Sequence, residues 1–326
     1  MLGDIGAAFG VAFTYFTIIY STGLGGLFSE RSGIVNIGLE GMMIIGTVTG
    51  SWGTFYFTTP VADGGLGWGL PWGPIMGILV GMIAGALFAS IHALATVTFR
   101  VDHIVSGVVI NLVAVGLARF LSTIFFGQAT QSDSGQPSLH PIDIPLLSEL
   151  PAGLGRAFQD LSPVVIVAFL LIFPVTFALY RTRWGLRLRS CGENPEAALS
   201  LGVRVAPLRY QAVMLSGALA GFAGAFLAVE VNLSWNEGQT QGLGFISLAA
   251  LILSNWNPRR LMAAAMIFGF AQAVPYRLAD APVLRAIPDE FVRMTPYVVT
   301  IIVLAGFVGK VRPPAAAGKA YEGAGT

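Results

Sequence analysis

Apolar runs of about 20 residues recur along the whole chain, separated by short breaks rich in Gly, Pro, Ser and charged residues. A run of that length carries a helix across the hydrocarbon core of a bilayer, roughly 30 Å. The pattern predicts an all-α, polytopic transmembrane bundle of nine spans, at residues 7–28, 38–58, 74–98, 104–126, 161–180, 210–229, 239–254, 261–278 and 294–309. The seventh, GQTQGLGFISLAALIL, opens on a Gly-broken stretch and is expected to be partly re-entrant. Lipid tolerates such backbone only where protein or a water-filled path covers it.

Composition agrees with the pattern. Of 326 residues, 55% are hydrophobic and only 11% charged, whereas a soluble domain carries about 25% charged residues. The formal net charge of +1 supplies no field for nucleic acid. A single cysteine, Cys191, excludes an internal disulfide and a multi-cysteine metal centre. His92, His103 and His140 are scattered, with no carboxylate or cysteine at ligand spacing, so no metal is expected. Gly306 to Val311 superficially resembles a P-loop but lacks its spacing and its Ser/Thr. With no nucleophile elbow and no catalytic cluster either, the chain reads as neither an enzyme nor a cofactor binder, and any ATP would be hydrolysed by a separate subunit.

Charge predicts the orientation. With the 181–210 loop in the cytoplasm, alternation puts thirteen Lys and Arg inside and four outside, leaving Arg119 within a span. The positive-inside rule therefore sets the N-terminus outside and the C-terminus in the cytoplasm. The bundle spans 1–312, and the tail 313–326, PPAAAGKAYEGAGT, is expected to be disordered. Arg119 and Glu230 lie near outer span ends, where snorkelling accounts for them, and Trp235 reads as an interfacial anchor.

The segment 181–210, RTRWGLRLRSCGENPEAALSLGVRVAPLRY, is a polar, Arg-rich island between apolar runs. Its centre, Gly192-Glu193-Asn194-Pro195-Glu196-Ala197-Ala198, reads as a short capped helix. Asn194 can cap, Pro195 suits the first helical position, and Glu196 favours the positive end of the dipole. A stiff helix just outside a membrane bundle suits docking by a soluble partner.

A second stretch, Gly23 to Met43, reads GLGGLFSERSGIVNIGLEGMM. Apolar helix breaks at Ser29-Glu30-Arg31-Ser32-Gly33 and then resumes. Asn36 and Glu40 lie four apart and would share a helix face. Either Glu30 and Arg31 sit in a solvated turn, or a broken helix lines a path in which Asn36 and Glu40 meet a solute. The cost of a carboxylate in lipid favours the path. The Gly242–Phe245 stretch would be its counterpart in the second half. Small residues every fourth position, Gly77, Gly81 and Gly85, then Gly217, Gly221 and Ala225, predict close helix contacts without pointing to a function.

GLGGLFSERSGIVNIGLEGMM resembles the opening motif of permease subunits of bacterial ABC importers for nucleosides and simple sugars, a branch of the ribose and branched-chain amino-acid permease family. CGENPEAALSLGVRV is similar to that family's cytoplasmic coupling segment. The Gly-rich seventh span and Pro296-Tyr297 fit as well, so the likeness covers most of residues 10–312. Gln241-Gly242-Leu243-Gly244 departs from it, since a basic or polar residue is expected between the glycines. The first span also begins almost at Met1, without the extra leading helix of some relatives.

The resemblance implies a multi-pass protein of the bacterial cytoplasmic membrane that pairs with a second permease, commonly a related but different chain. It implies ABC ATP-binding subunits on the cytoplasmic face and an extracytoplasmic solute-binding protein outside. Gly192 through Ala198 would sit in the ATPase groove, surrounded by Arg183, Arg187, Arg189 and Arg204. Asn36, Glu40, Glu30 and Phe245 would line the translocation path. A nucleoside is the implied cargo, with a simple sugar as the alternative. An ion-coupled secondary transporter using Glu40 or Glu230 would need no docking helix, and the 181–210 island argues against it.

Overall fold

The computed structural model describes residues 2–59, 72–277, 288–307 and 311–321. Among them the regular structure is all helical, with two isolated β-bridges and no strand. The helices are α1 (Leu2–Arg31), α2 (Leu39–Thr58), α3 (Gly73–Ala93), α4 (His103–Phe126), α5 (Pro163–Leu170), α6 (Ile172–Arg181), α7 (Arg183–Glu193), α8 (Pro195–Ser200), α9 (Val205–Phe226), α10 (Leu243–Leu253), α11 (Pro258–Arg277), α12 (Asp289–Arg293) and α13 (Thr295–Phe307). Short π-helical turns, Leu94–Thr98 and Leu227–Val231, extend α3 and α9.

Five helical stretches are long and apolar enough to cross a membrane: Gly6–Arg31, Gly73–Thr98, His103–Phe126, Pro163–Arg181 and Val205–Val231. Each coincides with an expected span. The expected fifth span is two helices meeting at Leu171, and the seventh shortens to the 11 residues of α10. Residue 278 of the eighth span, residues 308–309 of the ninth, Lys310, Arg285 and tail residues 322–326 lie outside the described residues.

The small-residue ridges meet one another. A methyl on Gly221 would come within 2.2 Å of the Gly81 carbonyl oxygen, and one on Gly85 within 2.3 Å of that of Gly217. Gly46 and Gly50 of α2 approach Gly221 and Ala225 equally closely. Helices α2, α3 and α9 thus touch backbone to backbone, which lets dispersion hold helices together where hydrocarbon removes the hydrophobic drive. Of the five stretches, Val205–Val231 is the most enclosed, and His103–Phe126 and Pro163–Arg181 are the most exposed.

Helix α1 ends in a break whose geometry needs glycine. Gly33 has φ +97°, a left-handed conformation that costs a side chain dearly. The hydroxyls of Ser29 and Ser32 donate to the carbonyls of Ile34 and Ser29 at 2.7 and 2.6 Å, satisfying acceptors that the broken ladder leaves free.

At the opposite end of the bundle, the loop after α4 is fastened from several sides. Glu230 accepts from the Leu139 amide at 2.9 Å and the Ser162 hydroxyl at 2.7 Å. Arg119 pairs with Glu237. Trp235 is no interfacial anchor: it is 2% exposed, with its indole donating to the Thr47 hydroxyl at 3.1 Å. A buried indole must find an acceptor, and Thr47 of α2 provides it.

Candidate functional site

Two arrangements stand out, one inside the bundle and one at its Arg-rich end. The first is built on Glu40. This carboxylate is 6% exposed and accepts three hydrogen bonds from the entry to α10. The Thr240 hydroxyl donates at 2.6 Å, the Gly242 amide at 3.0 Å and the Gly244 amide at 2.7 Å. The first amides of a helix lack intrahelical acceptors, and the dipole there favours an anion. Glu40 therefore caps α10 from a different helix. The two glycines explain the GLG spacing. Gly242 has φ +79°, and a methyl on Gly244 would lie 2.6 Å from the Glu40 Cα.

Asn36 does not share a helix face with Glu40. It lies in the extended break before α2, where the chain is not helical, so the four-residue spacing has no geometric meaning there. Its amide donates to Ser216 of α9 at 2.9 Å and to the Met42 sulfur at 3.4 Å. It is fully buried, and its Oδ1 has no partner. Phe245 stands on the first turn of α10, 47% exposed. Glu30 is neither solvated nor free: it is 5% exposed and accepts the Trp256 indole hydrogen at 2.6 Å. Arg31 donates to the Trp256 carbonyl at 2.7 Å. Together they grip the α10–α11 turn, a contact between positions too distant for any spacing rule.

The second arrangement is the elbow formed by α7 and α8. Asn194 accepts from the Ala197 amide at 3.0 Å, and Pro195 opens α8, as the sequence predicts. Gly192 seats the elbow on the break after α1, since a methyl there would meet the Arg31 carbonyl oxygen at 2.3 Å. Glu193 lies 3.8 Å from Arg31 across the same junction. Cys191, Gly192 and Ala198 are buried, and burial pushes the Cys191 thiol up from its ordinary value. Glu193, Asn194, Glu196 and Ala197 face outward. Arg187 is exposed, whereas Arg189 turns back, donating to the Leu179 carbonyl at 3.0 Å and lying over the Tyr180 ring. Arg189 therefore braces α7 against α6.

Several residues escaped the sequence reading. Leu201 is 84% exposed at the end of α8, an apolar knob beside the polar elbow. Buried Arg209 of α9 donates to the Ser32 carbonyl at 3.1 Å, and its guanidinium lies over the Tyr321 ring. His92 and His103, distant in sequence, bracket Val35: His92 Nε2 lies 3.2 Å from the Val35 carbonyl, and the Val35 amide donates to His103 Nδ1 at 3.2 Å. Asn111 of α4 accepts from the Gly41 amide at 2.7 Å and donates to the Ile37 carbonyl at 3.0 Å. The break between α1 and α2 is thus held from α4, α7 and α9. Among the described residues no three His, Cys, Asp or Glu side chains converge to hold a metal.

Residues 311–321, which include the start of the tail, lie against the elbow and the α1–α2 break. The Ala316 amide donates to the Gly192 carbonyl at 2.8 Å, the Gly318 amide to that of Gly33 at 3.1 Å, and the Ala315 amide to Glu193 at 3.3 Å.

The family described as "Branched-chain amino acid transport system / permease component" matches residues 9–304. The chain is 40% identical to the guanosine ABC transporter permease protein NupQ of Bacillus subtilis, over 94% of each chain. It is 42% identical to the nucleoside ABC transporter permease protein NupC of Lactococcus lactis, again over 94% of each. Identity to the putative glucose ABC transporter permease protein TsgC13 of Haloferax volcanii is 33%, over 80% of this chain and 74% of that one. No solved structure matches.

Proposed function

The chain belongs to the branched-chain amino acid transport system permease family, and from that premise we propose that it is the membrane permease subunit of an ATP-driven ABC importer for nucleosides. It transports and does not catalyse; ATP is bound and hydrolysed by a separate subunit. The observation that carries the coupling role is the α7–α8 elbow. It is capped by Asn194, seated through Gly192 on the α1–α2 break, and presents Glu193, Asn194, Glu196, Ala197 and Leu201 outward. A push on this rigid lever reaches the break directly, because Gly192 and Glu193 touch residues 31–33. Nucleoside cargo is supported by the two relatives similar over 94% of the chain, which are named for guanosine and nucleosides; the glucose relative aligns over less of it.

In this reading the chain crosses a bacterial cytoplasmic membrane nine times, with the N-terminus outside and the elbow and the 311–321 segment in the cytoplasm. A second permease chain and an extracytoplasmic binding protein complete the importer. The path runs past Asn36, whose buried Oδ1 has no partner within the described residues, and past Phe245, which offers a stacking face. Glu40 supports the path by holding α10. Ion-coupled transport is disfavoured by a specific observation: both carboxylates it would use, Glu40 and Glu230, already accept hydrogen bonds from the protein.

Reconstitution with its partner subunits in liposomes tests the proposal. ATP-dependent uptake of labelled nucleosides, not competed by ribose or glucose, is expected. Uptake by this chain alone, driven by a proton gradient, would refute it.

A further inference from the structure

A groove of about 860 Å³ opens on the side of the molecule between α6 and the start of α11. Its long wall is apolar: Phe173 and Phe177 are 70% and 62% exposed on a helix long and apolar enough to span a membrane. At one end stand Arg181, the last residue of α6, and Arg259, in the first turn of α11. No Asp or Glu lines the groove, and no described carboxylate pairs with either arginine. The Thr176 hydroxyl, also lining it, is buried without a hydrogen-bond partner.

We propose that this groove binds an anionic phospholipid of the leaflet on the elbow side, with its phosphate between Arg181 and Arg259 and an acyl chain along Phe173 and Phe177. The polarity of the groove matches that of the ligand. Two guanidiniums at the level where the span ends meet a phosphate with fork geometry, and rings at membrane depth have hydrocarbon as their solvent. Basic pockets between spans on the cytoplasmic side recognise acidic head groups in this manner. A free inorganic anion would leave the apolar wall unused. A bound lipid would also act on the elbow. Thr182, next after Arg181, caps α7 by accepting from the Gly185 amide at 3.0 Å, so a phosphate on Arg181 steadies the point from which α7 starts.

The test uses the full chain, purified with whichever partner subunits accompany it and stripped of lipid. Native mass spectrometry then follows binding of phosphatidylglycerol and of phosphatidylcholine with the same acyl chains. Preferential binding of phosphatidylglycerol is expected, weakened roughly 30-fold in R181Q/R259Q, at two basic contacts' worth of affinity. R260Q, which removes a neighbouring charge that does not line the groove, should bind as the parent does. As a second readout, a tryptophan at Phe177 (F177W) should be quenched by brominated phosphatidylglycerol in the Arg181/Arg259 background of the parent, and much less so with both arginines removed. Equal binding of the two lipids, an unaffected R181Q/R259Q, or displacement of phosphatidylglycerol by millimolar inorganic phosphate would overturn the proposal. So would a cysteine at Phe177 (F177C) that crosslinks to a second permease chain.

Discussion

Replacing Glu40 by alanine tests whether this carboxylate is a clamp or a solute ligand. The substitution removes the acceptor for the Thr240 hydroxyl and the Gly242 and Gly244 amides, at 2.6, 3.0 and 2.7 Å. A hydrogen bond to a charged group contributes about 1.5–3 kcal/mol, and each buried donor left unsatisfied costs about 1–3 kcal/mol. The anion at the helix N-terminus adds roughly 0.3–1 kcal/mol, up to about 2 when partly buried. These contributions overlap. Even if only two of the three bonds count in full, α10 loses about 3–6 kcal/mol of attachment to α2. E40A should therefore lower the thermal midpoint of the purified protein and lose most ATP-dependent uptake. E40Q keeps one acceptor oxygen in place and should fall between E40A and the parent in both. The assays are detergent-phase thermal unfolding and liposome uptake, on matched amounts of inserted protein. If E40A melts like the parent and loses only affinity for the transported solute, Glu40 contacts cargo and the clamp reasoning is refuted.

Three further outcomes are expected. Gly192→Ala forces a methyl to within 2.3 Å of the Arg31 carbonyl, so the elbow must lift; the chain should still insert but recover far less ATP-binding subunit on co-purification. Asn194→Ala removes the α8 cap at about 1 kcal/mol and should weaken co-purification severalfold, with Asn194→Gly closer to the parent, as isothermal binding of the ATP-binding subunit would show. Cys191 is buried with its thiol held above the ordinary range by that burial. Less thiolate is present at neutral pH, so maleimide labelling of the folded protein should be slow, should still rise as pH is raised past the ordinary thiol value, and should become rapid on denaturation. Rapid labelling at neutral pH would show that the elbow does not pack on the α1–α2 break.

What could be read from the chain was local. The apolar runs located the helices to within a few residues, because burial in lipid is a property of composition over about 20 consecutive positions. The α8 cap was legible because Asn-Pro-Glu acts within four residues of itself. The Gly ridges announced close packing, although not that α2 would join α3 and α9. Local pattern is silent where a residue's partner lies far along the chain. The four-residue spacing puts Asn36 and Glu40 on one face only if a helix runs through both; in the fold Asn36 turns to α9 and Glu40 to α10. An Arg-rich loop looks uniformly solvated, and only the fold shows that the Arg189 guanidinium turns back onto α6. The composition of the tail offers no core of its own, and its hydrogen bonds to the Gly192 and Gly33 carbonyls could not be read from it.

The amino-acid sequence thus determined by itself that this is a helical membrane protein, where its helices fall, and that a capped polar elbow interrupts them. Hydrophobic period, chain stiffness at proline and local capping are all expressed over a handful of residues. The tertiary structure alone decided that Glu40 closes the entry to α10 some 200 residues away, that His92, His103, Asn111 and Arg209 converge on one break, and that two arginines share an apolar groove. Such contacts depend on how helices pack, and a buried polar group takes whichever partner packing brings within reach.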